Sequence, residues 1–301
     1  MTLKIGIPQG LLFYQYGTVW TEFFRCLGYE AVLSGETTKA TLDRGSELDE
    51  ICLPAKVCYG HVCELSDRVD WLFLPRVVSL KAREYSCPKV IAMPDLVRSQ
   101  RKGGPPMIDI SLNRRDGWRQ GLAAVIDWGR KLGQSPYRML AAWHQAGRTA
   151  VRFSQAVEPV GPTVALIGHP YILQDRLISM NVEAKLQNCA LGTITPEHVP
   201  VQLADKAAQP LGKEIYWSSG RHLAGAAMAL MSADRPVDGV VFITSFACGP
   251  DALISEMIRR QAQQRHIPCM ILSVDEHTAE AGFLTRVEAF ADMLGRRCRP
   301  C

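Results

Sequence analysis

The chain has 301 residues, 47% hydrophobic and 21% charged, with a formal net charge of +4. That length fits two lobes of ordinary size, each with enough apolar side chains to bury a core. Lysines and arginines are interleaved with acids rather than clustered, which gives no case for nucleic acid or an anionic membrane as partner.

Met1–Gly10 carries one lysine and then reads as a strand, with no signal-peptide core after it. No apolar run approaches the roughly 18 residues of a membrane span. The expected compartment is therefore the reducing cytoplasm, and in that setting the ten cysteines matter. They are buried small hydrophobes, reactive thiols or metal ligands rather than a disulfide framework.

In chain order, Lys4–Ile7 predicts a strand, Phe13–Leu27 an amphipathic helix capped by Gly28, and Glu30–Leu33 the next strand. This β-α-β order implies a parallel sheet. Asp70–Leu74 and Val90–Ala92 are expected as further buried strands, closed by Pro75 and Pro94. Gln100–Pro106 reads as a surface loop, Gly117–Leu132 and Tyr137–Arg148 as helices, and Val157–Pro162 as a linker. A second series follows: strands at Thr163–Ile167, Gly239–Phe246 and Cys269–Val274, and helices at Arg221–Met231, Asp251–Gln264 and Glu280–Leu294. The fold class is α/β, with two lobes over residues 1–158 and 159–301. Each has a mainly parallel sheet flanked by helices, and the site is expected in the cleft between them. No internal repeat is apparent.

Three cysteines share a local signature, being followed at once or one residue later by proline: Cys52-Leu53-Pro54, Cys87-Pro88 and Cys248-Gly249-Pro250. Proline fixes φ and removes a competing donor, which pre-shapes a loop to turn its N–H groups onto a thiolate. Cys248 also falls between a buried strand and a helix start, where free N–H groups and the positive dipole end favour an anion. If Pro54 starts a helix, Cys52 sits at its N-cap, with Cys58 and Cys63 pointing inward from the body. Three thiolates on a [4Fe–4S] cubane leave one iron open, and Lys56, Lys89 and Arg76 are at hand to offset its charge. Cys26, Cys189 and Cys269 read as structural. Cys298 and Cys301 form a CxxC in a basic terminal segment that gives it no fixed setting.

Asp275-Glu276-His277-Thr278, with Glu280, follows a strand and points to the same sheet edge as Cys248. His277, Glu276, Glu280 and the loop histidine His169 are the candidate acid–base residues. A helix-capping turn is the competing account of the segment, and His61 is a further loop-adjacent histidine. The chain lacks a P-loop, a GxGxxG fingerprint, HExxH and GxSxG, so the chemistries those motifs mark lose support.

Lys4-Ile-Gly-Ile-Pro8 with Leu12-Phe-Tyr14, Cys52-Leu-Pro-Ala-Lys-Val with Gly60-His61-Val62, Phe73-Leu-Pro-Arg76 and Tyr85-Ser-Cys87-Pro-Lys89 together form a pattern. It continues through Gly168-His-Pro-Tyr171, Thr244-Ser-Phe-Ala-Cys248-Gly-Pro-Asp251 and Asp275-Glu-His-Thr-Ala-Glu-Ala-Gly282. In these motifs the chain resembles the acyl-CoA dehydratase activase-related proteins, relatives of 2-hydroxyacyl-CoA dehydratase and benzoyl-CoA reductase-type subunits. The resemblance implies paired α/β lobes with a [4Fe–4S] cluster on Cys52, Cys87 and Cys248, and one open iron. It further implies low-potential anaerobic chemistry, a CoA-linked substrate, and an ATP-dependent activator as a separate protein. Cys58 and Cys63 leave open a larger or double cluster. Two other readings remain: a non-catalytic iron–sulfur carrier that docks an activator, and a two-lobed small-molecule-binding protein without a cluster.

Overall fold

The computed structural model describes residues 2–79, 81, 84–101, 103–113, 118–149, 161–212, 214–233 and 236–297. Cys298, Cys301 and most of the expected linker at Val157–Pro162 lie outside them. The chain divides into two compact units, Met1–Arg152 and Phe153–Cys301.

The first unit is built on strands β1 (Lys4–Ile7), β2 (Glu30–Leu33), β3 (Trp71–Phe73) and β5 (Met107–Ile108), with β4 (Arg76–Ser79) and β6 (Ser111–Asn113) as a short parallel pair. The sheet order is β2-β1-β3-β5, all parallel. Pro75, without an N–H to give the ladder, separates β3 from β4, yet Leu74 and Arg76 still bond the carbonyls of Ile108 and Ile110. Helices α1 (Phe13–Cys26), α2 (Lys39–Gly45), α3 (Leu53–Leu65), α4 (Pro88–Gln100), α5 (Trp118–Lys131) and α6 (Pro136–Gly147) complete the unit. Ile5 and Ile7 of β1 pack with Phe23, Phe24, Phe73 and Met139, and Phe24 meets Phe73 edge-on at 4.9 Å.

Val90–Ala92 is a correction: expected as a strand, it lies inside α4. Pro88 sits at the first helical position, where its fixed φ favours a helix start. Pro94 lies in the helix interior, where it cannot donate to the Val90 carbonyl. The turn is braced from outside: Arg76 Nη1 donates to the Ile91 carbonyl at 2.9 Å, and the same guanidinium grips Asp95 through two bonds of 2.7 Å. A short apolar run ahead of a proline was therefore an ambiguous signal.

The second unit has strands β7 (Thr163–Ile167), β8 (Gly192–Ile194), β9 (Gly239–Ser245) and β10 (Cys269–Val274) in the order β10-β9-β7-β8, again all parallel. All seven residues of β9 are buried, which explains the unbroken apolar run of a central parallel strand. Its helices are α7 (Pro170–Leu173), α8 (Val182–Asn188), α9 (Val201–Ala208), α10 (Ser218–Met231), α11 (Gly249–Gln264) and α12 (Glu280–Arg297). Gly225 and its alanine neighbours let α10 approach the Ala204 carbonyl of α9 closely.

The two sheets repeat one topology. In each, the first strand is central, the second lies to one side of it and the third to the other. The connections therefore diverge between β1 and β3 in one unit and between β7 and β9 in the other. In open α/β sheets this switch point is where ligands bind, beyond the carboxyl strand ends.

Candidate functional site

All three proline-flagged cysteines occupy one kind of position. Cys52, Cys87 and Cys248 are the N-cap residues of α3, α4 and α11, each with proline at the first or second helical residue. Their backbones are extended, with φ/ψ of −66°/148°, −57°/138° and −86°/100°. An N-cap side chain stands near the positive end of the helix dipole, although the Cys87 and Cys248 thiols make no cap hydrogen bond to their helices.

Cys52 and Cys87 lie in the first unit, both half-buried. Burial holds the Cys52 thiol above its usual range, prevailing over Lys89 and the N–H groups of Ala55 and of Cys52 itself, which pull it down, while neighbouring Cys87 adds to the rise. The opposing influences of Lys89 and Cys87 place all three side chains in one electrostatic neighbourhood. Lys56, by contrast, is buried, and Arg76 is committed to Asp95. Cys58 is wholly buried, and desolvation takes its thiol up to about 12. It forms part of an apolar hollow at the β1/β3 switch point, with Pro8, Gly10, Trp20, Leu74 and Met93. Burial also raises Cys63, against the pull of Arg101 and a hydrogen bond from Tyr59. His61 is fully buried, with Nε2 2.9 Å from the Thr37 hydroxyl and Nδ1 3.5 Å from Glu64.

Cys248 is carried on a tight turn in the second unit. Its N–H donates to the Ser245 carbonyl at 3.1 Å, and Ala247 between them has φ of +63°. A left-handed alanine costs about 1–2 kcal/mol, so the turn is held by its surroundings rather than by local preference. The Asp251 carboxylate, fully buried at the third position of α11, accepts bonds from Thr244 Oγ1 at 3.0 Å and His169 Nε2 at 2.8 Å. It also accepts from the Cys248 thiol. Burial favours the neutral acid, but His169 and these hydrogen bonds prevail and hold Asp251 below the usual carboxylate range. His169 caps α7, is buried, and stacks on Tyr171 at 4.7 Å. Its Nδ1 has no hydrogen-bond partner among the described residues.

The structure thus joins His169 to Cys248 through Asp251, which sequence reasoning missed. An acid in the first turn of a helix reads as a dipole partner, and only its complete burial marks it as something more. The other acid–base candidates sit elsewhere along the same sheet edge. Ser245 pairs with Val274, so the loop after β10 leaves beside the Cys248 loop. There Asp275 Oδ1 accepts from the His277 N–H and the Thr278 hydroxyl in a capping turn. His277 is exposed, Glu276 half-buried, and exposed Glu280 pairs with Lys185 at 2.7 Å. Among the described residues, no three Cys, His, Asp or Glu side chains stand together as a metal site. Nor is any helix among them long and apolar enough to cross a membrane.

Residues 221–294 match the family of the 2-hydroxyglutaryl-CoA dehydratase D-component. The uncharacterized protein MJ0800 of Methanocaldococcus jannaschii is 26% identical over 117 residues, which cover 38% of this chain and 28% of that protein. The chain therefore spans little more than a quarter of the length of the curated relative it matches. Residues 4–199, well over half of the chain, match the CoA enzyme activase uncharacterised domain, and the chain belongs to that acyl-CoA dehydratase- and activase-related family.

Proposed function

We propose that this chain is the iron–sulfur component of a 2-hydroxyacyl-CoA dehydratase-type system, binding a [4Fe–4S] cluster through Cys52, Cys87 and Cys248. The observation that carries the reading is the shared placement of these thiols at proline-started helix N-caps. The donor chemistry fits the group: three soft sulfurs, each at the positive end of a helix dipole, and Lys89 acting on Cys52 to offset negative charge.

When bound, the cluster supplies one-electron chemistry and an iron free of protein thiolate. The chain's own residues do the rest. Cys52, Cys87 and Cys248 would hold the metal at the positive dipole ends of their helices. The buried Asp251 and His169 fix one ligand loop. Electrons come from an ATP-dependent activator as a separate partner, and the substrate is a CoA thioester; the activase-domain match supports the first and the dehydratase-component match the second.

Mössbauer spectra of anaerobically reconstituted, iron-enriched protein test the reading. One iron site is expected to stand apart from the other three and to shift when a CoA thioester is added. Four equivalent sites, unmoved by the thioester, contradict it.

A further inference from the structure

We propose that Asp251 and His169 are positioning residues for Cys248, a buried hydrogen-bonded pair that fixes the direction of this one ligand thiol. The proposal deepens the cluster reading above and rests on it.

Asp251 and Cys248 share the first turn of α11, but the partners of Asp251 come from β9 and from the loop that follows β7. Thr244 Oγ1, from β9, lies 3.0 Å from one carboxylate oxygen, and His169 Nε2, from the loop after β7, lies 2.8 Å from the other. The carboxylate thus ties both arms of the switch point to the helix that Cys248 caps, and in the metal-free chain it also accepts the thiol's hydrogen bond. Such a buried carboxylate is costly unless fully bonded, and here both oxygens are used. His169 is itself held by stacking on Tyr171. Its approach to β9 requires Gly168, because a Cβ there would press on Ile243 Cγ2 at 2.7 Å. Since Ala247 leaves the Cys248 turn in a strained left-handed conformation, the loop needs an outside restraint, and Asp251 supplies it.

Residues that orient metal ligands typically contribute about 10- to 100-fold in metal affinity. Wild-type, Asp251→Ala, Asp251→Asn and His169→Gln proteins are reconstituted anaerobically and challenged with an iron chelator, with circular dichroism melts as the check on folding. Asp251→Ala is expected to lose iron at least about tenfold faster and to alter the EPR signal of the reduced protein. Asp251→Asn, which keeps an acceptor oxygen, is expected to recover part of the loss. A second readout needs no cluster. In the metal-free proteins, iodoacetamide labelling followed by mass spectrometry is expected to modify Cys248 severalfold faster in Asp251→Ala, with Cys52 and Cys87 unchanged. Folded Asp251→Ala protein with wild-type iron retention, EPR signal and Cys248 labelling overturns the proposal. If wild-type protein takes up no iron, the cluster reading falls by itself, and the labelling comparison still decides the role of Asp251.

Discussion

At the residue scale, burial sorts thiols that look alike in sequence. Cys52, Cys87 and Cys248 are half-buried at helix starts, whereas Cys58 is enclosed in the helix body. Desolvation raises Cys58 to about 12 and Cys269 to about 11. The sign of the resulting pH effect is fixed. In the unfolded chain a thiol loses its proton near pH 8.5, while the folded chain retains it, so the contribution is complete below that value and drains as pH climbs toward 11–12. The melting temperature is expected to fall as pH rises from about 8.5 to 11, each buried thiol adding up to about 1.4 kcal/mol per pH unit. Cys58→Ala is expected to melt lower at neutral pH but with a shallower pH slope. An identical slope in the variant contradicts this account. The proline context that picks out the three ligand candidates is a backbone signal and was legible in sequence. Asp251 was not, because its role depends on Thr244 and His169, which lie 7 and 82 residues away.

At the element scale, close helix approach sets where Cys52 stands. α2 and α3 cross with Gly60 against the Thr41 carbonyl and Gly45 against the Lys56 carbonyl, so neither position has room for a Cβ. Backbone cannot retreat as a flexible side chain does. Gly60→Ala is therefore expected to cost about 2–3 kcal/mol in urea denaturation. Gly282→Ala, at an exposed site on α12 with nothing within 4 Å, is expected to be neutral or to stabilise by up to about 1 kcal/mol. Equal stability of the two variants rules out the crowding argument. Elements with sustained periodicity, such as α1, β7 and β10, could be read from sequence to within a residue. α4 could not, because Pro94 is tolerated there only with Arg76 and Asp95 bracing the turn, a contact of long sequence range. The short strands β4, β5, β6 and β8 were also missed. Two to four residues carry too little pattern to announce a strand that its neighbours in the sheet impose.

At the scale of the whole molecule, the alternation of strand and helix signals made two parallel α/β lobes legible, because βαβ connectivity leaves few other choices. The repeated topology was not legible, since it is a likeness of strand order without likeness of sequence. It has a consequence for the candidate site. Cys87 follows β3 and β4, Cys248 follows β9, and each caps the helix after the third strand of its sheet. The two thiols are thus equivalent in topology, with Cys52 as an addition particular to the first unit, at the start of α3. The account's central claim is that these three sulfurs together hold one cluster. Iron and acid-labile sulfide counted after anaerobic reconstitution test it most directly, in wild type and in the Cys52→Ala, Cys87→Ala, Cys248→Ala triple variant. About four irons and four sulfides per chain are expected in the wild type, and none in a folded triple variant. A triple variant that keeps its iron, or a colourless wild-type protein without iron or sulfide, contradicts it.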